Sequence, residues 1–202
     1  GGINEVDPGY FPAVRELCTE RGILLMFDEV QTGLARTGAW FAHQHYGIEP
    51  DAISIAKALG NGMPIGAIWA RNEVAASFKP GDHATTFGGQ PMAASAALAT
   101  LEIMKSIDAP SLANTVGSAI RGKLEEMNGV VSTRGRGMLI AAELDPAVLN
   151  GRTAGDVANA CLHAGLVLNG VTPTALRIAP PLTITFAEIE QGMAVLNSVL
   201  NP

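Results

Sequence analysis

Residues 24–67 read LLMFDEVQTGLARTGAWFAHQHYGIEPDAISIAKALGNGMPIGA. Two apolar runs of strand length, Ile23–Phe27 and Ala52–Ala56, each stop at charge: Asp28-Glu29 after the first, Lys57 after the second. Continuous apolar runs bounded by turn residues predict strands buried on both faces, as in parallel sheets. Residues 31–38 (QTGLARTG) form a Gly/Thr loop. Ala39–Tyr46 is a short helix stopped by Gly47, and Gly60–Pro64 turns the chain into a third apolar strand, Ile65–Ala70. Open α/β sheets bind ligands outside the carboxyl ends of their strands, and Asp28 and Lys57 both fall there.

Around this stretch the pattern alternates helix and strand. Asp7-Pro8 reads as the N-cap and first residue of a helix with Phe11, Val14, Leu17 and Cys18 on one face, stopped by Gly22. Asn72 caps a short helix, residues 79–90 are loop, and Pro91 starts a long Ala-rich helix to about Ser106. A second helix covers roughly 111–127. The texture then changes to short strands at Val130–Thr133, Met138–Leu144, Leu166–Leu168 and Ala175–Ile178. Two capping boxes, Thr153 with Asp156 and Thr185 with Glu188, open the intervening and final helices. The order is α/β, then α+β, with a boundary placed between residues 1–108 and 109–202.

Bulk properties exclude several classes. The chain has 202 residues, 48% hydrophobic and only 16% charged, too apolar for intrinsic disorder. No apolar run approaches the ~18 residues that span a bilayer, so no membrane partner is expected. Net charge is −6, and the 13 Lys and Arg form no basic stripe, which disfavours nucleic acid. Cys18 and Cys161 match no metal spacing, and no metal site is expected. Unpaired cysteines and the want of a signal-peptide pattern in residues 1–15 point to the cytoplasm. The shortage of charge leaves two readings: an ordinary core, or apolar surface that a partner covers.

The chemistry starts from Asp28 and Lys57. A desolvated Lys is an amine nucleophile suited to Schiff-base formation with a carbonyl. An acid that pairs with a pyridinium nitrogen is what pyridoxal phosphate (PLP) requires. Position alone is as compatible with a lysine snorkelling at a strand end and an aspartate capping a turn.

The surrounding residues weigh on that choice. Residues 24–67, with D-E-V-Q-T-G and K-A-L-G in order, resemble the PLP-attachment region of the class III (ornithine/acetylornithine-type) aminotransferases. KPGDHATTFGGQP (79–91) resembles that family's Ser/Thr-Thr-Phe/Tyr-Gly-Gly-Asn-Pro segment, and LRIAPPLTI (176–184) its carboxyl-terminal Arg-Phe/Ile/Leu-Ala-Pro-Pro-Leu segment. The resemblance implies the carboxyl-terminal part of a fold-type I PLP-dependent transferase: the end of a mostly parallel large-domain sheet, then a small α+β domain.

It also implies roles. Lys57 carries PLP and serves as general base and acid. Asp28 holds the pyridine nitrogen protonated, Val30 packs on the ring, and Gln31 bonds near its 3-oxygen. Thr86 donates to the phosphate, in the family across a homodimer interface, and Arg177 clamps a substrate carboxylate. For Val30 ordinary core, for Gln31 loop ordering, for Thr86 a turn, and for Arg177 a surface position remain as alternatives. Gln90 replaces the family's usual Asn, and Asn61 stands where Gly is common. The four histidines read as structural or solvated, and Arg134–Gly137 as a turn between strands rather than a phosphate loop.

The resembled family has longer chains, whose amino-terminal half supplies the phosphate-cradling loop, a ring-stacking aromatic and a second substrate Arg. Gly1-Gly2 resembles the tail of a motif from that half, so this sequence is expected to be a fragment, the carboxyl-terminal half of an active protein. The reaction implied is transamination between N-acetylornithine and 2-oxoglutarate, a step of arginine biosynthesis. Ornithine, 4-aminobutyrate and other ω-amino donors stay open, as does a fragment without independent activity.

Overall fold

The computed structural model describes residues 2–202; Gly1 lies outside them. The chain divides into two compact units: Val6–Ala35 with Ala39–Ala109, and Pro110–Pro202 with Arg36–Gly38 and the start of the chain.

In the first unit a three-stranded sheet, ordered β1-β2-β3, is built from β1 (Met26–Asp28), β2 (Ala52–Ile55) and β3 (Ala67–Ala70). β1 and β2 run parallel, with Asp28 opposite Ser54. β3 returns antiparallel to β2, because residues 56–66 are too few for the helical crossover a parallel strand needs. The helices are α1 (Tyr10–Arg21), α2 (Asn72–Ala75) and α3 (Pro91–Ser106). α1 starts two residues later than the sequence predicts: the Asp7 side chain accepts from Gly9 N–H at 2.8 Å, so it makes a turn before the helix and does not cap it. Gly22, in the left-handed region at φ 63°, closes the helix as expected.

Asp51 ties the unit together. Its buried carboxylate accepts from Leu25 N–H and from Arg15 Nη1, each at 2.7 Å, and lies 3.5 Å from Arg71. One acid thereby joins α1, the entry to β1 and the end of β3. The apolar runs are less buried than predicted. Ile23, Leu24 and Met26 around β1, and Ile68 and Trp69 on β3, are exposed, since no described residue of the unit covers them.

The second unit has a proper core. A four-stranded antiparallel sheet, ordered β4-β5-β7-β6, comprises β4 (Val130–Arg136), β5 (Leu139–Leu144), β6 (Asn169–Gly170) and β7 (Ala175–Ile178). Helices α4 (Ala109–Glu125), α5 (Pro146–Leu149), α6 (Ala154–His163) and α7 (Phe186–Leu200) complete it. Ile120 and Leu124 from α4, Ile140 and Leu144 from β5, Leu176 from β7, Val157 and Cys161 from α6, and Ile189 and Leu196 from α7 are almost fully buried in one cluster. Both predicted capping boxes form, Thr153 with Asp156 and Thr185 with Glu188. The strand expected at Leu166–Leu168 instead lies at Asn169–Gly170. Leu166 N–H is already used on Cys161 O at 2.8 Å, and Gly165 takes φ 89°; this is the bond that closes a helix through a left-handed glycine.

Candidate active site

At the carboxyl end of β1, Asp28 turns its exposed carboxylate back on the chain. Its Oδ1 accepts from Val30 N–H at 2.9 Å and from Ser54 Oγ at 3.4 Å. The strand therefore ends in a tight turn that places Val30 and Gln31 directly after the acid.

β2 ends at Ile55, and after Ala56 the chain enters a 3₁₀ turn, Lys57–Gly60. Lys57 opens this turn at φ 47°. A left-handed lysine costs on the order of 1–3 kcal/mol and persists only where its surroundings enforce it. The turn is held by Leu59 N–H to Ala56 O at 3.0 Å and Asn61 N–H to Ala58 O at 3.2 Å, with Asn61 itself left-handed. A Cβ on Gly60 would lie 2.7 Å from Ile65 Cγ2, so a side chain there would require Ile65 to shift. The result is an amine held beyond the end of β2, whose Nζ donates to Gln31 Oε1 at 2.5 Å.

Parallel pairing of β1 and β2 puts Asp28 and Lys57 at the same end of the sheet. Lys57 is exposed, not sunk in the sheet end as a desolvated amine requires. Asp28, Val30, Gln31 and Lys57 are thus gathered within one unit. Thr86 lies in the same unit but in the exposed loop 79–90, where the hydrogen bonds are local: Lys79 N–H to Asp82 Oδ2 at 2.7 Å and Gly88 N–H to Thr85 Oγ1 at 3.1 Å. Arg177 belongs to the second unit. It sits on β7 between Ala141 and Asn169 in register, and its Nη2 donates to Asn169 Oδ1 at 2.9 Å.

The sequence reading passed over Glu29. Its side chain is 1% exposed and accepts from Thr32 Oγ1 at 2.5 Å and from His43 N–H at 3.0 Å. The Thr32 contact could be sought from the three-residue spacing. The His43 contact crosses 14 residues of loop and leaves no local signal. His43, read as structural or solvated, is mostly buried and in contact with the site turn. Among the described residues, no three His, Cys, Asp or Glu side chains gather as metal ligands. No helix there is long and apolar enough to cross a membrane.

The family model "Aminotransferase class-III" matches residues 1–200. An acetylornithine aminotransferase of Methanocaldococcus jannaschii is 41% identical over 203 residues, covering 98% of this chain and 50% of that protein. Among solved structures, the ornithine aminotransferase of Toxoplasma gondii superposes with a TM-score of 0.88 at 32% identity, over 98% of this chain and 48% of that one. The acetylornithine aminotransferase of Elizabethkingia anophelis does so at 0.85 and 31%, over 96% and 52%. The chain spans about half the length of the curated relatives it matches.

Proposed function

The chain belongs to the class III aminotransferases, and on that premise we propose that it carries the lysine-bearing half of an enzyme that moves the amino group of N-acetylornithine to 2-oxoglutarate. The arrangement of Lys57, Gln31 and Asp28 at one end of a parallel strand pair carries this reading. In it, residues 1–108 are the end of the PLP-binding large domain and 109–202 the small domain. The enzyme is a cytoplasmic homodimer of arginine biosynthesis, completed by an amino-terminal half like that of the relatives. The exposed apolar side chains of the first unit, Ile68, Trp69 and Phe87 among them, are then surface for that half and for the second subunit.

Class III aminotransferases depend on PLP, and the donor set fits it. Asp28 offers a carboxylate for a ring nitrogen, Lys57 an amine for the aldehyde, Gln31 an amide for the ring oxygen, and Thr86 a hydroxyl for the phosphate. When bound, PLP supplies an electron sink for the bond to hydrogen at the substrate's amino carbon.

The chain's own residues do the rest. Asp28 would pair its carboxylate with the ring nitrogen and hold a proton there. Lys57 would hold the cofactor through its Nζ. As a free amine, that Nζ would serve as base and then acid for the proton at the substrate's amino carbon. Gln31 accepts from that Nζ in the present geometry and so marks where the free amine rests. Val30 would pack on the ring face. Arg177 pairs its planar fork with a carboxylate common to the donor and to 2-oxoglutarate.

The choice of donor rests on the relatives at about 41% identity, which are named acetylornithine aminotransferases. The test is to fuse the chain behind the amino-terminal half of the Methanocaldococcus relative and compare acetylornithine, ornithine and 4-aminobutyrate as donors to 2-oxoglutarate. Acetylornithine should give the largest kcat/KM, and borohydride should fix PLP on Lys57. A preference for another donor overturns the substrate; PLP on no residue overturns the mechanism. The exposure of Lys57 favours a second reading, in which this chain alone holds PLP weakly. Stoichiometric PLP on Lys57 of the unfused chain, with turnover, would exclude it.

A further inference from the structure

We propose that Glu29 and His43 are a positioning pair for Lys57, acting through the turn that carries Gln31. The inference rests on the role given to Lys57 above. Both oxygens of the Glu29 carboxylate are engaged. Oε2 accepts from Thr32 Oγ1 at 2.5 Å, and Oε1 accepts from His43 N–H at 3.0 Å and lies 3.2 Å from His43 Nδ1. Among the described residues no Lys or Arg pairs with it.

A buried carboxylate is expensive unless every lone pair is met, and an apolar residue would spare that cost. What the acid supplies is geometry. The backbone of Glu29 is fixed at both ends: its N–H donates to Ser54 O on β2, and its C=O accepts from Gly33 N–H, each at 2.9 Å. A Cβ on Gly33 would lie 2.8 Å from that same carbonyl, so the turn closes only on glycine. His43 is equally constrained. Its ring stacks on Phe41 at 5.8 Å and leans on Phe27 at 6.2 Å, and its side chain is 12% exposed.

Residues 29–33 are thus pinned to β2 on one side and, through Glu29, to the 3₁₀ turn Ala42–Tyr46 on the other. Gln31 lies in the middle of the pinned segment. Lysine has a long stem with many rotamers. A bond to an amide on a rigid turn confines the amine beyond the end of β2; a bond to an amide on a loose loop would not.

The test reads Lys57 directly, without PLP. The 202-residue chain is treated with limiting formaldehyde and cyanoborohydride, and methylation of Lys57 is measured by peptide mass spectrometry against Lys79 and Lys105. Gln31→Ala sets the rate for an unheld amine. His43→Leu and Thr32→Val should raise the ratio of Lys57 to the reference lysines several-fold toward that rate. His43→Asn, which keeps a side-chain donor near the place of Nδ1, should stay near wild type. If His43→Leu fails to fold, all lysines react together and the near-isosteric Thr32→Val decides. An unchanged ratio in the folded His43 and Thr32 variants overturns the pair, as does an unchanged ratio in Gln31→Ala. Borohydride trapping of PLP on Lys57 in the fused protein is scored separately. A labelling response without trapped PLP keeps the pair and rejects the catalytic role; trapped PLP without a labelling response does the reverse.

Discussion

Arg36 Nη1 donates to the carbonyl of Pro180 at 2.6 Å, although 144 residues separate them. The same nitrogen also donates to Met138 O at 3.2 Å, and burial pulls the guanidinium below its ordinary value. Arg36 thus fastens the end of the segment that follows Arg177 on β7. Arg36→Met leaves two carbonyls without their donor, a loss of about 1–3 kcal/mol for a buried group. Arg36→Lys should lose less, because an ammonium can still serve one of them. Urea unfolding of the chain checks this, and equal midpoints for wild type and Arg36→Met would refute it. In the fused enzyme the Met variant should raise KM for the carboxylate substrates more than it lowers kcat.

These contacts show where a sequence stops speaking. The strands other than β6, the two capping boxes, the helix starting at Pro91 and the placing of Asp28 and Lys57 at one sheet end all follow from local signals: apolar runs, Thr followed three residues on by an acid, charge at a strand end. Arg36 with Pro180 and Glu29 with His43 carry no such signal, because nothing in either residue's neighbourhood names its partner. Exposure departs from the apolar pattern for a related reason. An apolar run reports that a strand is meant to be covered, not whether its cover lies in the same chain. Ile23, Leu24 and Ile68 are exposed among the described residues.

Helix α4 carries two glycines with opposite expectations. A Cβ on Gly117 would lie 2.0 Å from the carbonyl oxygen of Gly137, a backbone atom that cannot rotate away. Gly122, on the same helix, has nothing within 4 Å. Alanine is the better helix former by about 1 kcal/mol, so Gly122→Ala should raise the melting temperature. At Gly117 the clash prevails, with overpacking of about 1–3 kcal/mol, and Gly117→Ala should lower it. Thermal unfolding of the two variants should move in opposite directions; shifts of the same sign would mean that the helix does not approach the Gly137 turn this closely.

Acid should loosen the second unit through Glu143. The Thr174 hydroxyl and the Arg134 guanidinium, 2.8 Å from Oε2, hold this carboxyl below its ordinary value against the upward push of burial. A carboxyl with a depressed folded-state pKa binds fewer protons folded than unfolded. Its contribution is therefore complete above the ordinary glutamate range of about 4.3 and is lost as pH falls through the folded value. Glu143→Gln should flatten the dependence of the urea midpoint between about pH 6 and about pH 3. A slope as steep as wild type would assign the acid sensitivity elsewhere, with Asp51 next, since its bonds to Arg15 and Leu25 also leave it lowered despite burial.

Strand β3 should make this chain self-associate. Ile68 is 69% and Trp69 49% exposed, and as neighbours on a strand they face opposite sides of the sheet. Among the described residues β3 pairs only with β2, so its outer edge also presents unpaired backbone groups. An edge strand that is apolar on both faces is a template for pairing with another chain, and a lysine on such an edge is the usual protection. Ile68→Lys should therefore reduce association in concentration-dependent light scattering. Leu162→Lys, an equally apolar replacement site on helix α6 at 55% exposure, should not. A wild-type chain that stays monomeric as concentration rises would show that these faces do not attract one another. Equal relief from both lysines would point to added charge, not the β3 edge, as the cause.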